Sequence, residues 1–550
     1  MVYHLRRAAI AAACLASIVF ILWFIPRVIK PTQPDAEERK RDEQWVNSSP
    51  YWIDRQACRW LGLCGIQHIK WDAPALPGNG TGRDGDLKLE LLKLLSMGPN
   101  HDSNYVELSD MRSWETAPMK KDLKTRRRNA GRSGDAKVLD EIPDYVVAHA
   151  PLVHLYSEEF FWPSDIAEHV VHMQPFKDDA PINSSKAVDL DTLARLNAEN
   201  NTVFLSSKDN VETRPEWLHS FHGIPTPFDG DDDDGDDNDN GDAAPKRPTD
   251  GTTWWDADKE HPPKRISDPR RFNGRQRQSH QKRQFREAQR PMVGPVEEKL
   301  DSLRGDKAAR GGHSDGPAIL VLVDKGAGIV DAFWFFFYSY NLGQTVLNVR
   351  FGNHVGDWEH CMVRFEHGIP RAMFLSEHAG GQAYAWQALE KRAQKGGRPD
   401  RPVIYSAVGS HAMYASSGMH PYVLPFKMLK DLTDQGPLWD PTLNNYAYWY
   451  DYEVDRDEEH RPPGEDRTSL VPAASNPHLP TSWFHFGGYW GDDTYPLSDK
   501  RQWRLFGEYH YTTGPLGPKF KNLDRKKVCQ NEKCRILYSI EAGKKSTWYS

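Results

Sequence analysis

Between residues 229 and 242 the chain reads DGDDDDGDDNDNGD, and from 264 to 290 it carries Lys264, Arg265, Arg270, Arg271, Arg275, Arg277, Lys282, Arg283, Arg286 and Arg290 among hardly any aliphatic residues. Neither run can bury enough apolar surface to offset the entropy of ordering it, and each repels itself. A chain split in this way must assemble its core from pieces on either side of a solvated segment, so residues 183–315 are expected to form a largely disordered insert. The remainder has to fold. Aromatic residues make up 11% of the chain, 19 Trp among them, which excludes a wholly disordered chain or a coiled coil. With 550 residues there is length for two to four units, and 77 acidic against 70 basic residues leave no net positive charge to call for nucleic acid.

The N-terminus adds a second constraint. His4, Arg6 and Arg7 precede an uncharged run from Ala8 to Ile25, which ends at Pro26, Arg27 and Lys30. As a helix such a run spans about 27 Å, just enough to cross a bilayer core. A cleaved signal peptide is the rival reading, but its apolar region is usually shorter and small residues follow it. Residues 1–30 are therefore read as an uncleaved signal anchor, a single-pass type II arrangement in the secretory and vacuolar system with the body lumenal. Sequons at Asn47, Asn79, Asn183 and Asn200 all follow the anchor and fit that address. Cys58 with Cys64 and Cys529 with Cys534 form two close pairs that can each close a small disulfide loop in an oxidising compartment. Neither spacing is that of a zinc knuckle, so zinc is the poorer reading. Residues 31–141 read as a stalk holding one small Cys/Trp-containing piece, and 516–550 as a tail with the second Cys pair.

Dense hydrophobic patterning begins near residue 316. Ala318 to Val323 and the aromatic run Ala332 to Tyr340 (AFWFFFYSY) read as strands, followed by Asp357 to Phe365, Arg371 to Ser376, Val403 to Val408 and Tyr446 to Val454. Between them Ala385, Trp386, Leu389 and Ala393 fall near helical spacing and predict an amphipathic helix over 382–394. Short strands separated by turn residues predict a mainly β fold, an antiparallel β-sandwich with few helices, over 316–515. Residues 142–182 are also compact in composition and are expected to supply its first strand.

The polar residues concentrate in Gly352-Asn353-His354-Val355-Gly356-Asp357-Trp358-Glu359-His360. In a strand Asp357 and Glu359 point one way, with Cys361, Val363 and Phe365 continuing that face, while Trp358 and His360 point the other. Two carboxylates about 7 Å apart on an apolar face repel unless a cation or a proton lies between them. Carboxylates with one imidazole, His354, suit Mg²⁺, Mn²⁺ or Ca²⁺ better than zinc. Two further turns, Ser376-Glu377-His378 and Gly409-Ser410-His411, follow strand-like runs and can reach the same end of a sandwich. No GxSxG, HExxH or P-loop is present, and the Ser–His neighbours are too close in sequence to form a triad.

The strings NHVGDWEH, FLSEHAGG, RPVIYSAVGSHAMY and PLVHLYSEEFFWPSDI resemble the vacuolar protein sorting-associated protein 62 family of fungi, over about residues 142–215 and 315–515. That resemblance implies a membrane-anchored fungal protein tied to delivery of proteins to the vacuole; it supplies a pathway rather than a reaction. The spacing His354-x-x-Asp357-Trp358-Glu359 is also similar to the GHRHDWE heptad of the necrosis- and ethylene-inducing-like secreted toxins, β-sandwiches that use a divalent cation to engage a glycosylated sphingolipid head group. The likeness implies His354, Asp357 and Glu359 as metal ligands, with Asn341 where that family has an Asp and Gly356 where it has a second His. The reading that follows is a metal-dependent recognition site for a polar or glycolipid-like ligand in a membrane-bound trafficking protein, with His378 and His411 lining it. The alternatives are a metal-assisted hydrolase, with His360, His378 or His411 as catalytic candidates, and a non-catalytic adaptor in which the polar residues are only structural.

Overall fold

The computed structural model describes residues 12–20, 40, 43, 49–72, 140–178, 180–182, 188–199, 202–225, 311–346, 348–393, 399–421, 429–456, 469–505, 507–531 and 535–545. It is mainly β with few helices. The elements that frame the site are α1 (Trp52–Leu61), β1 (Leu152–His154), α2 (Ile166–Val171), β2 (Ala318–Gly326), β3 (Ile329–Asn341), β4 (His354–Glu366), β5 (Ile369–Glu377), β6 (Gly380–Ala385), β7 (Lys391–Arg392), β8 (Arg401–Ser406), β9 (Met413–Tyr414), β10 (Lys430–Thr433), β11 (Leu438–Trp439), β12 (Asn445–Tyr450), β13 (Leu470–Pro472) and β14 (Ile536–Leu537).

Eight strands form the central sheet in the order β13-β12-β2-β3-β4-β5-β6-β14, and a smaller sheet runs β7-β8-β1-β11 with β9 beside β8. The aromatic run becomes β3 at the middle of the large sheet, where both faces are covered. Phe333, Phe335 and Phe337 point into one core with Trp358, Met362, Phe374, Trp483 and Trp490. Trp334, Phe336 and Tyr338 point into the other with Cys361, Val363, Leu375 and, from the smaller sheet, Val153, Ile404, Met413 and Trp439. An unbroken apolar run is what such a strand needs, and each buried aromatic contributes about 2 kcal/mol. The first core is closed by α2 and by the segments carrying Leu193, Leu205, Leu218 and Phe484.

Four expectations are corrected. The pairing is not purely antiparallel: β12 runs parallel to β2, β14 to β6 and β8 to β1. These partners lie far apart in sequence, so no hairpin dictates their direction. The helix over 382–394 is replaced by β6 and a 3-10 turn, Trp386–Ala388, because Gly380 and Gly381 turn the chain back onto β5 and the ladder outweighs four loosely spaced apolar residues. Packing extends into the range taken as insert: Leu190, Leu193, Val203, Leu205, Val211, Trp217 and Leu218 are buried in the core. The expected tail is part of the body, since Leu523 and Val528 are buried and β14 completes the central sheet.

Within the region read as a stalk, residues 49–72 are described. A disulfide links Cys58 of α1 to Cys64, and Leu63–Cys64 pairs with Arg504–Leu505, tying this piece to the body. Arg350 Nε donates to Asp72 at 2.6 Å across the same junction. Cys529 is disulfide-bonded, while Cys534, Asn47, Asn79, Asn183 and Asn200 lie outside the described residues. Residues 12–20 are helical and exposed; the rest of 1–30 lies outside the described residues, and no described helix is long and apolar enough to cross a membrane.

Candidate functional site

β4 and β5 pair from Glu366↔Ile369 to Cys361↔Leu375, and the ladder goes no further. Beyond that point Ser376 Oγ accepts the backbone N–H of His360 at 2.8 Å and donates to the carboxylate of Glu359, so a side chain takes the place of the ladder in a fork between the strands. Into this fork come Asp357 and Glu359 from β4, Glu377 from the end of β5, His378 after it, His411 from the turn between β8 and β9, and Asp431 from β10. Glu159, from the loop after β1, closes it from behind.

Two imidazole–carboxylate pairs organise the fork. His411 Nδ1 donates to Asp357 Oδ2 at 2.9 Å and its Nε2 donates to the Phe161 carbonyl at 3.0 Å, with Glu159 3.8 Å away. Its ring lies flat on Tyr338, centroids 3.7 Å apart. Burial alone would lower the His411 pKa, but Asp357 and Glu159 outweigh it and bring it up to about 9. Glu159 takes backbone N–H bonds from Phe160, Phe161 and Gly409 at 2.7, 2.9 and 2.8 Å. In the second pair, His378 Nε2 donates to Asp431 Oδ2 at 2.6 Å, while Ser410, Gln344 and Tyr414 also donate to that carboxylate. Burial would raise Asp431, yet His378 and these donors hold it below its usual range, and Asp431 in turn lifts His378 against the effect of burial.

The other two acids stay neutral more easily. Burial, then repulsion from Asp357, pushes the Glu359 carboxyl up to about 8. Burial, then Asp431 and Glu359, pushes Glu377 well above the carboxylate range, and its Oε1 has no hydrogen-bond partner among the described residues. Both His378 (φ 52°) and His411 (φ 55°) adopt left-handed backbone, which costs a non-glycine residue about 1 kcal/mol and is held here by their carboxylates.

The sequence reading placed Asp357 and Glu359 on one face, and they are there, with Cys361 and Val363 continuing it. That reading asked for a cation or a proton between them; in the structure the His411 imidazole sits on Asp357, and burial with repulsion from Asp357 makes Glu359 hold its proton more tightly. Asn341 also reaches Asp357, donating from Nδ2 at 3.0 Å and to the Ser410 carbonyl at 3.3 Å. The four residues read as metal ligands do not act as one set. His354 Nδ1 donates to the Gly356 carbonyl at 2.7 Å, Glu359 is engaged by Ser376, and among the described residues no three His, Cys, Asp or Glu side chains are grouped to hold a metal ion. His360 is not brought to the fork at all. It points to the opposite face, stacked on Phe335 at 5.2 Å, where burial, then Arg525 and Lys521, lowers its pKa well below the usual value. His378 and His411 do converge. The sequence reading missed Glu159, Glu377 and Asp431; Glu377 is adjacent to a residue it named, whereas Asp431 sits in the unremarkable stretch Lys430–Thr433 and gives no local signal.

Comparisons with known proteins match this chain to a family. The family model described as vacuolar protein sorting-associated protein 62 matches residues 323–423, which contain Asp357, Glu359, Glu377, His378 and His411. From Saccharomyces cerevisiae (strain ATCC 204508 / S288c), the protein named "Putative vacuolar protein sorting-associated protein TDA6" is 36% identical over 419 residues, covering 71% of this chain and 68% of its own. Vacuolar protein sorting-associated protein 62 of the same organism is 32% identical, with the same coverage. A solved structure described as "Toxin fold for microbial attack and plant defense" is matched at 12% identity with a TM-score of 0.14, over 23% of this chain and 52% of that one, too weak a likeness to bear on the fold. On the strength of the two yeast relatives, this chain belongs to the vacuolar protein sorting-associated protein 62 family.

Proposed function

We propose that this chain acts in the sorting of proteins to the vacuole as a membrane-tethered recognition module, with two sheets packed as a β-sandwich and the β4–β5 fork as its binding site. The tether in this reading is residues 1–30 and the body is lumenal. Four sequons downstream of the apolar run and the Cys58–Cys64 disulfide support that side of the membrane. The recognised group is a cation or a hydrogen-bond donor such as an amine or a polyol. The observation that carries this is Glu377: a buried carboxyl oxygen without a partner, beside Glu359 and Asp431, is an acceptor waiting for a donor. Two imidazoles already balance Asp357 and Asp431, so a cation entering the fork displaces protons from Glu359 and Glu377. Binding should therefore release protons and weaken as pH falls.

Calorimetry of the full-length protein with Ca²⁺, Mg²⁺, Mn²⁺ and an amino sugar, in two buffers of different ionisation enthalpy, tests this. Buffer-dependent heat at pH 7.5 that is lost at pH 5 and in Glu377→Gln is the expected result. No heat with any probe, or heat unaffected by Glu377→Gln, removes the recognition role and leaves an adaptor with a structural polar cluster. Topology is read separately: a glycosidase-sensitive mass shift that disappears when Asn183 and Asn200 are replaced places the body in the lumen, and its absence places it in the cytosol.

A further inference from the structure

The opposite face of the central sheet carries an anomaly of its own, independent of the fork. Arg525 is only 4% exposed, and its Nε, Nη1 and Nη2 atoms are buried without any hydrogen-bond partner among the described residues. His360 is fully buried, and both of its ring nitrogens are likewise unpartnered. The two side chains lie against the same pair of rings. The Arg525 guanidinium lies 4.8 Å from the Phe333 ring centroid and 4.7 Å from that of Phe374, and the His360 ring lies 6.3 Å and 5.5 Å from the same two rings. The rings offer the guanidinium their faces, but a ring face cannot satisfy in-plane N–H donors.

The charge around this space is one-sided. Among the described residues, three buried cations, Lys325, Arg364 and Arg525, lie near one fully buried carboxylate, Asp331. Both oxygens of Asp331 are taken by Arg364, from Nε and Nη2 at 2.7 Å each, and Lys325 Nζ stands 4.0 Å off. Asp524, the next acid, is engaged at the surface by Arg456. Lys521 adds positive charge from the side of His360. A guanidinium with five donors does not stay dry and unpaired in an apolar core, because each unmet donor carries its full desolvation penalty. Burial drags the Arg525 pKa down to about 9, Asp331 offsetting only part of the drop and Arg364 adding to it.

We propose that the space between Arg525 and His360, against Phe333 and Phe374, is the seat of a small inorganic anion of halide size. The guanidinium supplies charge-assisted donors from one side and the neutral imidazole one N–H from the other. An anion here neutralises the excess positive charge and ties the segment carrying Arg525 to β3, β4 and β5.

The test uses the full-length protein at fixed ionic strength in sodium chloride, sodium bromide or sodium gluconate, the last anion being far larger than a halide. Chloride and bromide should raise the thermal midpoint by a few degrees over gluconate, since an ion bound only to the folded state stabilises it by mass action. Arg525→Met should abolish that difference, and His360→Gln should shrink it. Crystals of the unsubstituted protein soaked in bromide give a readout that needs no variant to fold: an anomalous peak within hydrogen-bonding reach of both Arg525 and His360 is expected. Equal midpoints in the three salts, a halide effect that persists in Arg525→Met, or ordinary water at that spot would overturn the assignment.

Discussion

His411 and Glu359 make the fork respond to pH in one direction. The His411 pKa stands at about 9 in the folded chain against 6.5 for a free imidazole, so its contribution to stability is complete below pH 6.5 and is lost as pH rises through about 9. Glu359 stands at about 8 against 4.5, so its preference for the folded state is complete below pH 4.5 and is lost as pH rises through about 8. Asp431 works the other way, its contribution fading only as pH falls below the usual carboxylate range. Above pH 6.5, where His360 and the other histidines with lowered pKa values are neutral in both states, His411 and Glu359 should make stability decline towards pH 8, by about 1 kcal/mol per pH unit for each titrating group. Guanidinium unfolding from pH 5 to 9 reads this slope. Glu359→Gln and His411→Gln should each flatten the decline above pH 6.5; a wild-type profile that is flat or rises between pH 6.5 and 8 contradicts the assignment. Half of this pairing was legible in the sequence. Strand alternation put Asp357 and Glu359 on one apolar face, and Ser410-His411 followed a strand that could reach them. Glu159 and Asp431 were not legible, because their acidity matters only once distant strands bring them within reach of an imidazole, and nothing in their own neighbourhoods marks them.

At the scale of elements, β4 holds the fork in place, and Gly356 sets how β4 begins. Gly356 has φ 70°, and a Cβ there would meet the Trp490 carbonyl oxygen at 2.2 Å. Both the left-handed backbone and the close approach forbid a side chain. Gly356→Ala should cost about 2–4 kcal/mol, measured as a lower urea midpoint, with the Trp490 segment displaced from Trp358. Further along β4, Arg364 clamps Asp331 of β3 with two bonds of 2.7 Å. Asp331→Ala should cost about 3–5 kcal/mol by leaving buried cations uncompensated, and an unchanged denaturation midpoint would show that the pair contributes nothing. The core strands β2 to β5 were legible because apolar runs of this length and composition bury themselves on both faces. The parallel partners were not: β14 is two residues long and pairs with β6 from the far end of the chain, a contact fixed by tertiary packing rather than by pattern. The failed helix over 382–394 has the same cause, since four apolar residues at loose spacing cannot compete with a ladder already begun at Gly380.

For the whole molecule, the acidic and arginine-rich runs interrupt the sequence without separating the core. Ser314 Oγ donates to the Gly223 carbonyl at 2.7 Å, so the described chain leaves and re-enters the body at nearly one point. Gly312 bridges Trp439 of β11, and Asn444 Nδ2 holds the Ser314 carbonyl at 3.0 Å, which anchors the returning chain beside the smaller sheet. Buried residues flank the interval on both sides, with Leu218 and Ile224 before it and Ala318 to Val323 after it. Residues 226–310 therefore close a loop whose ends already touch, and their composition gives them little apolar surface to add to either core. Replacing them with a short Gly/Ser linker from 225 to 311 should leave the fold intact. Shortening a chain segment between fixed ends roughly tenfold lowers the entropy of closing it, a gain of about 2 kcal/mol. Calorimetry should show a thermal midpoint equal to or above that of the full chain, and the pH slope set by His411 and Glu359 should persist unchanged. A lower midpoint or a lost slope would mean that this stretch packs against the body and takes part in shaping the fork.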